Sequence, residues 1–225
     1  MTEYYSAHLS AERLKRCYEI APPRIMRYLK AELEFVARQV DPFDLVLELG
    51  CGYGRGLKEI CGHSGDVVGI DISGESLKYA LDFVDCGNLV QLSQMNAVSL
   101  AFNNDVFDVV ICIQNGISAF GTSPIELVRE SLRVTRPNGF CLFSSYSDKI
   151  WEERLEWFSI QSEEGLVGEI DWAKTAKGHI VCKDGFEATT FRPGDFRRIA
   201  QEVGFTPHLI EIDESSLFCC IEKGA

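Results

Sequence analysis

The sequence predicts an α/β fold with a seven-stranded, mostly parallel sheet, helices on both faces and an antiparallel last strand. Near-continuous apolar runs alternate with helical patterns, which is typical of parallel strands covered on both sides. The last two predicted strands are joined by a short connection, so we expect them to be antiparallel neighbours. The predicted strands cover residues 45–49, 67–70, 89–92, 107–113, 140–144, 208–212 and 217–222.

Apolar residues at helical spacing predict the helices that cover this sheet. The first helical region, residues 10–40, is interrupted at Pro22 and Pro23 because proline removes a backbone donor. Further helices are predicted at 57–61, 75–84, 125–134 and 195–203. We expect one domain, residues 1–225.

The pattern changes between the fifth and sixth predicted strands. Residues 148–158 read as an amphipathic helix with Trp151, Leu155 and Phe158 on one face. Residues 179–191 form two alternating runs around a Lys-Asp-Gly turn, which predicts a β-hairpin. Residues 145–192 are therefore expected to form a helix-plus-hairpin insert.

Composition and charge limit the classes of binding partner that we expect. The net charge is −12, which repels phosphate backbones, so nucleic acid is not the expected partner. No apolar run approaches the roughly 20 residues of a bilayer span, and the N-terminus lacks the features of a secretory signal. We expect neither a membrane partner nor secretion.

The nine cysteines are scattered, odd in number and without a Cys-x-x-Cys pair. This usage predicts reduced thiols in a cytoplasmic protein, and it argues against a disulfide framework or a structural zinc. No metal site is expected.

A glycine-rich turn, "LELGCGYGRG" at residues 47–56, follows the first predicted strand. Such a turn lets a ligand approach bare backbone N–H groups and directs a helix N-terminus at it. Asp71 ends the second strand, where a carboxylate accepts hydrogen bonds from a ribose diol. The two features together predict a ligand that carries a nucleoside.

Two cofactor classes fit such a turn. The dinucleotide pattern G-x-G-x-x-G needs glycine where Arg55 or Leu57 stands, which disfavours a nicotinamide-dependent oxidoreductase. The pattern E-x-G-x-G-x-G, from Glu48 to Gly54, resembles the first motif of the class I S-adenosylmethionine-dependent methyltransferases. The resemblance covers about residues 10–145 and the two closing strands. It implies a Rossmann-like, doubly wound sheet, S-adenosylmethionine as cofactor and S-adenosylhomocysteine as product.

The resemblance also implies roles for individual residues. Glu48 and the turn would face the methionine end of the cofactor, Asp71 would hold the ribose, and Ile72 would pack on the adenine. Residues 1–40 would form a helical lid, and residues 145–192 would form the acceptor side. The expected cofactor-binding residues are Tyr18, Glu48, Gly50, Cys51, Gly52, Asp71, Ile72, Asn96, Ala97 and Gln114.

Methyl transfer requires little acid–base or nucleophilic chemistry from side chains, because the methyl group of a sulfonium is already activated. The enzyme must align the acceptor, the methyl carbon and the sulfur, and exclude water. Asn115 and Tyr146 are the residues best placed to touch an acceptor, and we predict them as catalytic. The tryptophans of the insert suggest a partly apolar acceptor pocket.

The expected acceptor is a small organic molecule. Gln114-Asn115-Gly116-Ile117 stands where nucleic-acid amino-methyltransferases carry Asn/Asp-Pro-Pro-aromatic. The cysteines do not cluster as in arsenic methyltransferases, which share this scaffold. The accepting atom stays open, as does a non-catalytic S-adenosylmethionine-binding protein. The insert could equally face a pocket or a second subunit in a homodimer.

Overall fold

The computed structural model describes residues 2–121 and 123–225, and it contains the predicted seven-stranded sheet. The strands of this sheet are β1 (Val46–Leu49), β2 (Val67–Asp71), β3 (Val90–Gln94), β4 (Phe107–Cys112), β5 (Thr135–Tyr146), β8 (His208–Ile212) and β9 (Ser216–Glu222). The strand order is β3-β2-β1-β4-β5-β9-β8. Strands β1 to β5 pair in parallel, whereas β9 is antiparallel to both β5 and β8. The predicted fold class is therefore confirmed.

A separate two-stranded sheet, β6 (His179–Val181) with β7 (Glu187–Thr189), lies where the hairpin is predicted. The helices are α1 (Thr2–His8), α2 (Ala11–Glu19), α3 (Pro23–Ala37), α4 (Arg55–Ile60), α5 (Gly74–Phe83), α6 (Pro124–Val134), α7 (Trp151–Glu163) and α8 (Pro193–Glu202). As predicted, the N-terminal helical region breaks at Pro22, and Pro23 begins α3. None of the helices among the described residues has the length and apolar character of a bilayer span.

The central strands are buried on both faces. Val46 and Leu47 are adjacent in β1 and fully buried, yet they belong to different apolar clusters on opposite sides of the sheet. A third cluster joins the N-terminal helices to α7 and the hairpin through side chains such as Tyr28, Trp157 and Phe186. The carboxyl ends of β1, β2, β4 and β5 meet beneath this third cluster.

Helix α7 differs from its predicted pattern. Trp151 and Phe158 are buried as expected, but Leu155 is only half-buried. Arg154 and Trp157 are buried instead, because α7 contacts both α3 and the residues around the hairpin and so covers more than one face. Amphipathic spacing alone does not reveal this second contact.

The cysteines include one disulfide, which corrects the expectation that all thiols are reduced. Cys61 follows α4 and Cys86 follows α5, and their sulfurs are bonded across 25 residues of sequence. The two helices flank neighbouring parallel strands, so their ends lie together although the sequence spacing carries no signature. The seven other cysteines are free.

Candidate active site

One cavity at the carboxyl ends of the strands brings the predicted site residues together. It contains about 1360 Å³ of space, counting its open mouth. Its far wall is made by aromatic side chains of the N-terminal helices, α7 and the hairpin. The predicted residues that line it are Tyr18, Glu48, Gly50, Cys51, Gly52, Asp71, Ile72, Asn96, Ala97, Gln114, Asn115 and Tyr146.

The glycine-rich turn adopts backbone conformations that favour glycine. Gly50, Gly52 and Gly54 have φ of +69°, +53° and +88°. A side chain at Gly50 would press on the ring of Phe120, and one at Gly52 would lie 3.0 Å from Leu14 of α2. The turn is therefore shaped both by its dihedral angles and by its neighbours.

The N–H groups of this turn are less available than the sequence suggests. Cys51 donates to the Ile70 carbonyl and Gly54 donates to the Cys51 carbonyl, each at 2.9 Å. Gly52 donates to Asp71 Oδ2, also at 2.9 Å. The expectation of bare donors is therefore wrong at these positions. The turn is already closed by hydrogen bonds to its own chain and to β2.

Glu48 projects from β1 into a buried position next to Gly56. Its carboxylate occupies the space that a side chain at position 56 would need. Burial raises the pKa of Glu48 to about 8, although the charge of Arg55 and the N–H of Leu57 oppose the shift. Oε2 has no hydrogen-bond partner among the described residues. A cation in the cavity would stabilise the ionised form.

Arg55 is a site residue that the sequence analysis missed. It begins α4, lines the cavity and places its guanidinium carbon 5.1 Å from the centroid of the Tyr18 ring. Its buried Nη1 has no hydrogen-bond partner among the described residues. Its position inside the glycine-rich turn could have indicated this role, but the sequence analysis took Arg55 only as evidence against a dinucleotide pattern. An unpartnered guanidinium donor suits a carboxylate.

Asp71 is held at the end of β2 by two backbone donors. Oδ1 accepts from the Ser73 N–H at 2.8 Å and Oδ2 from the Gly52 N–H. Burial raises the pKa of this carboxyl group. Because a carboxylate offers about four acceptor positions, two remain for a ligand. Ile72 follows at the cavity edge and is 39% exposed.

Asn96 and Ala97 border the cavity after β3. The side-chain Oδ1 of Asn96 accepts from the Val98 N–H at 3.1 Å, and the backbone carbonyl of Asn96 accepts from the Ser99 N–H at 3.0 Å. The side chain therefore stabilises its own turn. Ala97 is buried, which makes it a packing surface.

Gln114 and Asn115 follow β4 in strained left-handed conformations, with φ of +55° and +59°. Asn115 Oδ1 accepts from Ser145 Oγ at 2.7 Å, and its Nδ2 donates to Ser118 Oγ at 2.9 Å. Asn115 is thus fixed to β5 and to its own loop. Gln114 Nε2 has no partner among the described residues, so it is the freer donor.

Tyr146 ends β5 at the cavity wall. Its ring centroid lies 5.2 Å from that of Tyr28, and burial raises its pKa to about 12. Only one insert tryptophan, Trp157, lines the cavity, and its Nε1 donates to the Cys17 carbonyl at 2.8 Å. Trp172 is 62% exposed, so its predicted contribution to an acceptor pocket is wrong.

Comparisons with known proteins agree with this architecture. Residues 47–143 match the family model described as "Methyltransferase domain". A ubiquinone biosynthesis O-methyltransferase of Aliivibrio fischeri (strain MJ11) is 29% identical over 47% of this chain. An arsenite methyltransferase of Aquipseudomonas alcaligenes is 27% identical over 74% of it. The alignments span 45% of each relative's own length.

A solved structure shares the fold. Magnesium protoporphyrin IX methyltransferase from Synechocystis PCC 6803, with bound S-adenosylhomocysteine, is similar with a TM-score of 0.64 and 15% identity. The alignment covers 99% of this chain and 98% of that one.

The sheet order, the glycine-rich turn and the family model that matches residues 47–143 together describe an α/β domain that is similar to methyltransferase domains. This similarity agrees with the sequence resemblance to the class I S-adenosylmethionine-dependent methyltransferases, a class whose cofactor is S-adenosylmethionine.

Proposed function

We propose that this protein transfers a methyl group from S-adenosylmethionine to a small organic acceptor. The observation that carries the proposal is the continuity of the cavity. The same space contacts the glycine-rich turn and Asp71 on one side and Tyr146, Trp157 and Phe186 on the other. A cofactor on the first side leaves an apolar compartment for an acceptor on the second.

The charges on the cofactor side fit the two ends of S-adenosylmethionine. The buried Glu48 carboxylate would face the amino group of the methionine portion, and the free Nη1 of Arg55 would bind its carboxylate. Asp71 would accept from the ribose hydroxyls, while Ile72 and Ala97 would contact the adenine. These roles account for the unpartnered polar atoms of Glu48 and Arg55.

The reaction needs positioning more than acid–base chemistry. A lone pair of the acceptor forms the new bond to the methyl carbon, and the electron pair of the broken C–S bond stays on sulfur. The sulfonium thereby becomes a neutral thioether. Tyr146, Trp157 and Phe158 would exclude water from this displacement, and Gln114 would help to orient the reactants.

The N-terminal helices would act as a lid over this reaction. Leu14 occupies the space that a side chain at Gly52 would enter, and Trp157 Nε1 donates to the carbonyl of Cys17. Ala11 N–H donates to Ser76 Oγ at 3.0 Å, which fastens α2 to α5. These contacts support the proposal that residues 1–40 cover the cofactor.

The site chemistry favours an organic acceptor over an arsenic species. Cys17 and Cys51 line the cavity, but burial raises the pKa of Cys17 to about 12 and also raises that of Cys51. Both therefore stay protonated at neutral pH, and a protonated thiol is a poor soft ligand. The aromatic wall suits an apolar or aromatic body.

Calorimetric titration separates the proposal from its alternatives. We expect saturable binding of S-adenosylmethionine and S-adenosylhomocysteine and none of NAD. A nicotinamide-dependent enzyme would give the opposite result. A non-catalytic binding protein would bind S-adenosylmethionine yet transfer no labelled methyl group to any member of a library of small organic acceptors.

A matched pair of variants tests whether the turn binds the cofactor. Gly52→Val should abolish binding because the side chain enters the space of Leu14 and strains the backbone. Gly87→Val carries similar strain, with φ of +59°, but has no atom within 4 Å and lies away from the cavity. It should bind normally. Equal binding by both variants would remove the turn from the site.

A further inference from the structure

Arg154 is a fully buried arginine without a carboxylate partner among the described residues. Its Nη1 donates to Thr190 Oγ1 at 2.5 Å, and its Nη2 donates to the Ala188 carbonyl at 2.9 Å. Its Nε is buried and has no partner. Removing a guanidinium from water is costly unless its charge is compensated. The two neutral acceptors satisfy hydrogen bonds but leave the charge unbalanced.

The side chains around Arg154 connect it to the acceptor side of the cavity. Its guanidinium carbon lies 4.1 Å from the centroid of the Tyr146 ring and 5.7 Å from that of Phe158. Tyr146, Phe158 and Ala188 all line the cavity. The positive charge therefore stands directly behind the wall, with one layer of side chains between it and the acceptor space.

None of the other titratable groups described near Arg154 forms a hydrogen bond or an ion pair with it. Tyr5 and Tyr28 are neutral phenols whose pKa values burial raises. Asp148 accepts from Arg192 Nε at 2.8 Å and is already paired. Glu32, next to Tyr28 and Tyr146, is fully buried, and burial raises its pKa. Arg154 is thus a fully buried positive charge directly behind the acceptor end of the cavity.

We propose that the acceptor is an aromatic acid whose anionic oxygen, a carboxylate or an ionised phenol, docks at Tyr146 against the charge of Arg154. The inference rests on the proposed function, whose acceptor it specifies. Tyr146 would donate its hydroxyl hydrogen to the anion, and it keeps that proton because its pKa is raised. The aromatic body would lie against Trp157, Phe158 and Phe186.

The anion is best understood as an anchor rather than as the methylated atom. An oxygen that is hydrogen-bonded by Tyr146 and faces a guanidinium has its lone pairs stabilised, which lowers its reactivity toward the sulfonium. The anchor would therefore hold the ring while a second atom of the acceptor meets the methyl group. Arg154 acts through Tyr146 and is a positioning residue.

The test compares the affinity of charged probes with that of neutral probes of similar shape. Naphthoate and naphthamide form the carboxylate pair, and para-nitrophenolate and para-nitroanisole form the phenolate pair. Binding is measured by calorimetry with and without S-adenosylhomocysteine. We expect the anion of at least one pair to bind about tenfold more tightly. The pair that shows the preference identifies the acidic group.

Variants connect this preference to the two residues. Arg154→Met should abolish the anion preference while the affinity for the neutral probe stays within a factor of about two. Tyr146→Phe keeps the ring on Arg154 and removes only the hydroxyl, so it tests the same contact even if Arg154→Met does not fold. It should reduce the preference severalfold.

Equal affinities for anion and neutral probe in the wild-type protein would overturn the inference, as would a preference unchanged by Tyr146→Phe. These outcomes are separate from failure of the proposed function, which would appear as no binding of S-adenosylhomocysteine. The comparison of charged and neutral probes without S-adenosylhomocysteine still decides whether the anion site exists.

Discussion

The carboxylate of Glu48 fills the space in front of the Gly56 α-carbon, so it can hold this position only while residue 56 is glycine. A methyl group at position 56 would force the carboxylate out of its place beside Arg55. We expect Gly56→Ala to weaken S-adenosylmethionine binding by about tenfold or more, as expected when a buried charged contact is lost.

The matched control for this prediction is Gly62→Ala. Position 62 follows α4 and its added methyl group would meet nothing closer than 3.8 Å. Calorimetry on both variants measures the effect. Equal loss of affinity would mean that the region around α4 is generally sensitive to substitution and that the Glu48 contact is not the cause.

Glu48 should make stability depend on pH. Its pKa in the folded chain is about 8, against an ordinary value of 4.5. Between these values the folded protein holds a proton that the unfolded chain has lost, so this group lowers the free energy of unfolding as the pH rises. Glu48→Gln removes the effect. The variant should gain stability relative to wild type from about pH 5 to about pH 8.

Urea unfolding of both proteins across this pH range measures the difference. Glu32 and Asp71 also have raised pKa values, so they too lower the free energy of unfolding as the pH rises. Because both residues are present in both proteins, their contributions cancel in the difference between wild type and variant. A stability difference that stays constant with pH would show that Glu48 ionises normally in the folded chain.

Arg55 should distinguish ligands that have a carboxylate from ligands that lack one. Arg55→Met keeps an unbranched apolar stem and removes the donor groups. We expect weaker binding of S-adenosylmethionine, by about one to two orders of magnitude, because a charge-assisted hydrogen bond is lost. Binding of methylthioadenosine, which has no amino-acid portion, should not change.

Lys58→Met provides the control on the same helix, since Lys58 is exposed and lies outside the cavity. It removes one positive charge without touching the site. A similar loss for both ligands in Arg55→Met would assign Arg55 to the packing of Tyr18 instead of to the cofactor.

The Cys61–Cys86 disulfide should stabilise the segment that carries Asp71. Cys86→Ser opens a loop closed across 25 residues. Loop entropy predicts a loss of about 3 kcal/mol in the free energy of unfolding. Urea unfolding with and without a reducing agent measures it. Reduction should destabilise the wild-type protein and leave Cys86→Ser unchanged, and an equal response of both would contradict the prediction.

The sequence was most informative where a residue pattern is typical of a single kind of structure. Apolar runs predicted the strands, and the glycines with Glu48 and Asp71 predicted the cavity. The hydrogen bonds of Gly52 and the unpartnered Nη1 of Arg55 were not predictable, because both depend on how β1 and β2 bring distant atoms together.

The insert was less predictable for the same reason. Helical spacing placed Leu155 on the buried face, whereas Arg154 and Trp157 take the interior positions. An arginine in a charged stretch normally lies in water. Only the contacts with Thr190 and Ala188, which follow it by more than 30 residues, reveal its burial.

The match to the family model ends at residue 143, three positions before Tyr146. Nearly every side chain that we assign to the nucleoside lies inside that boundary, and Tyr146, Trp157 and Phe186 lie beyond it. Under the proposed function, changes in α7 and the hairpin would alter the choice of acceptor, in evolution or by redesign, and would leave the residues assigned to the cofactor intact.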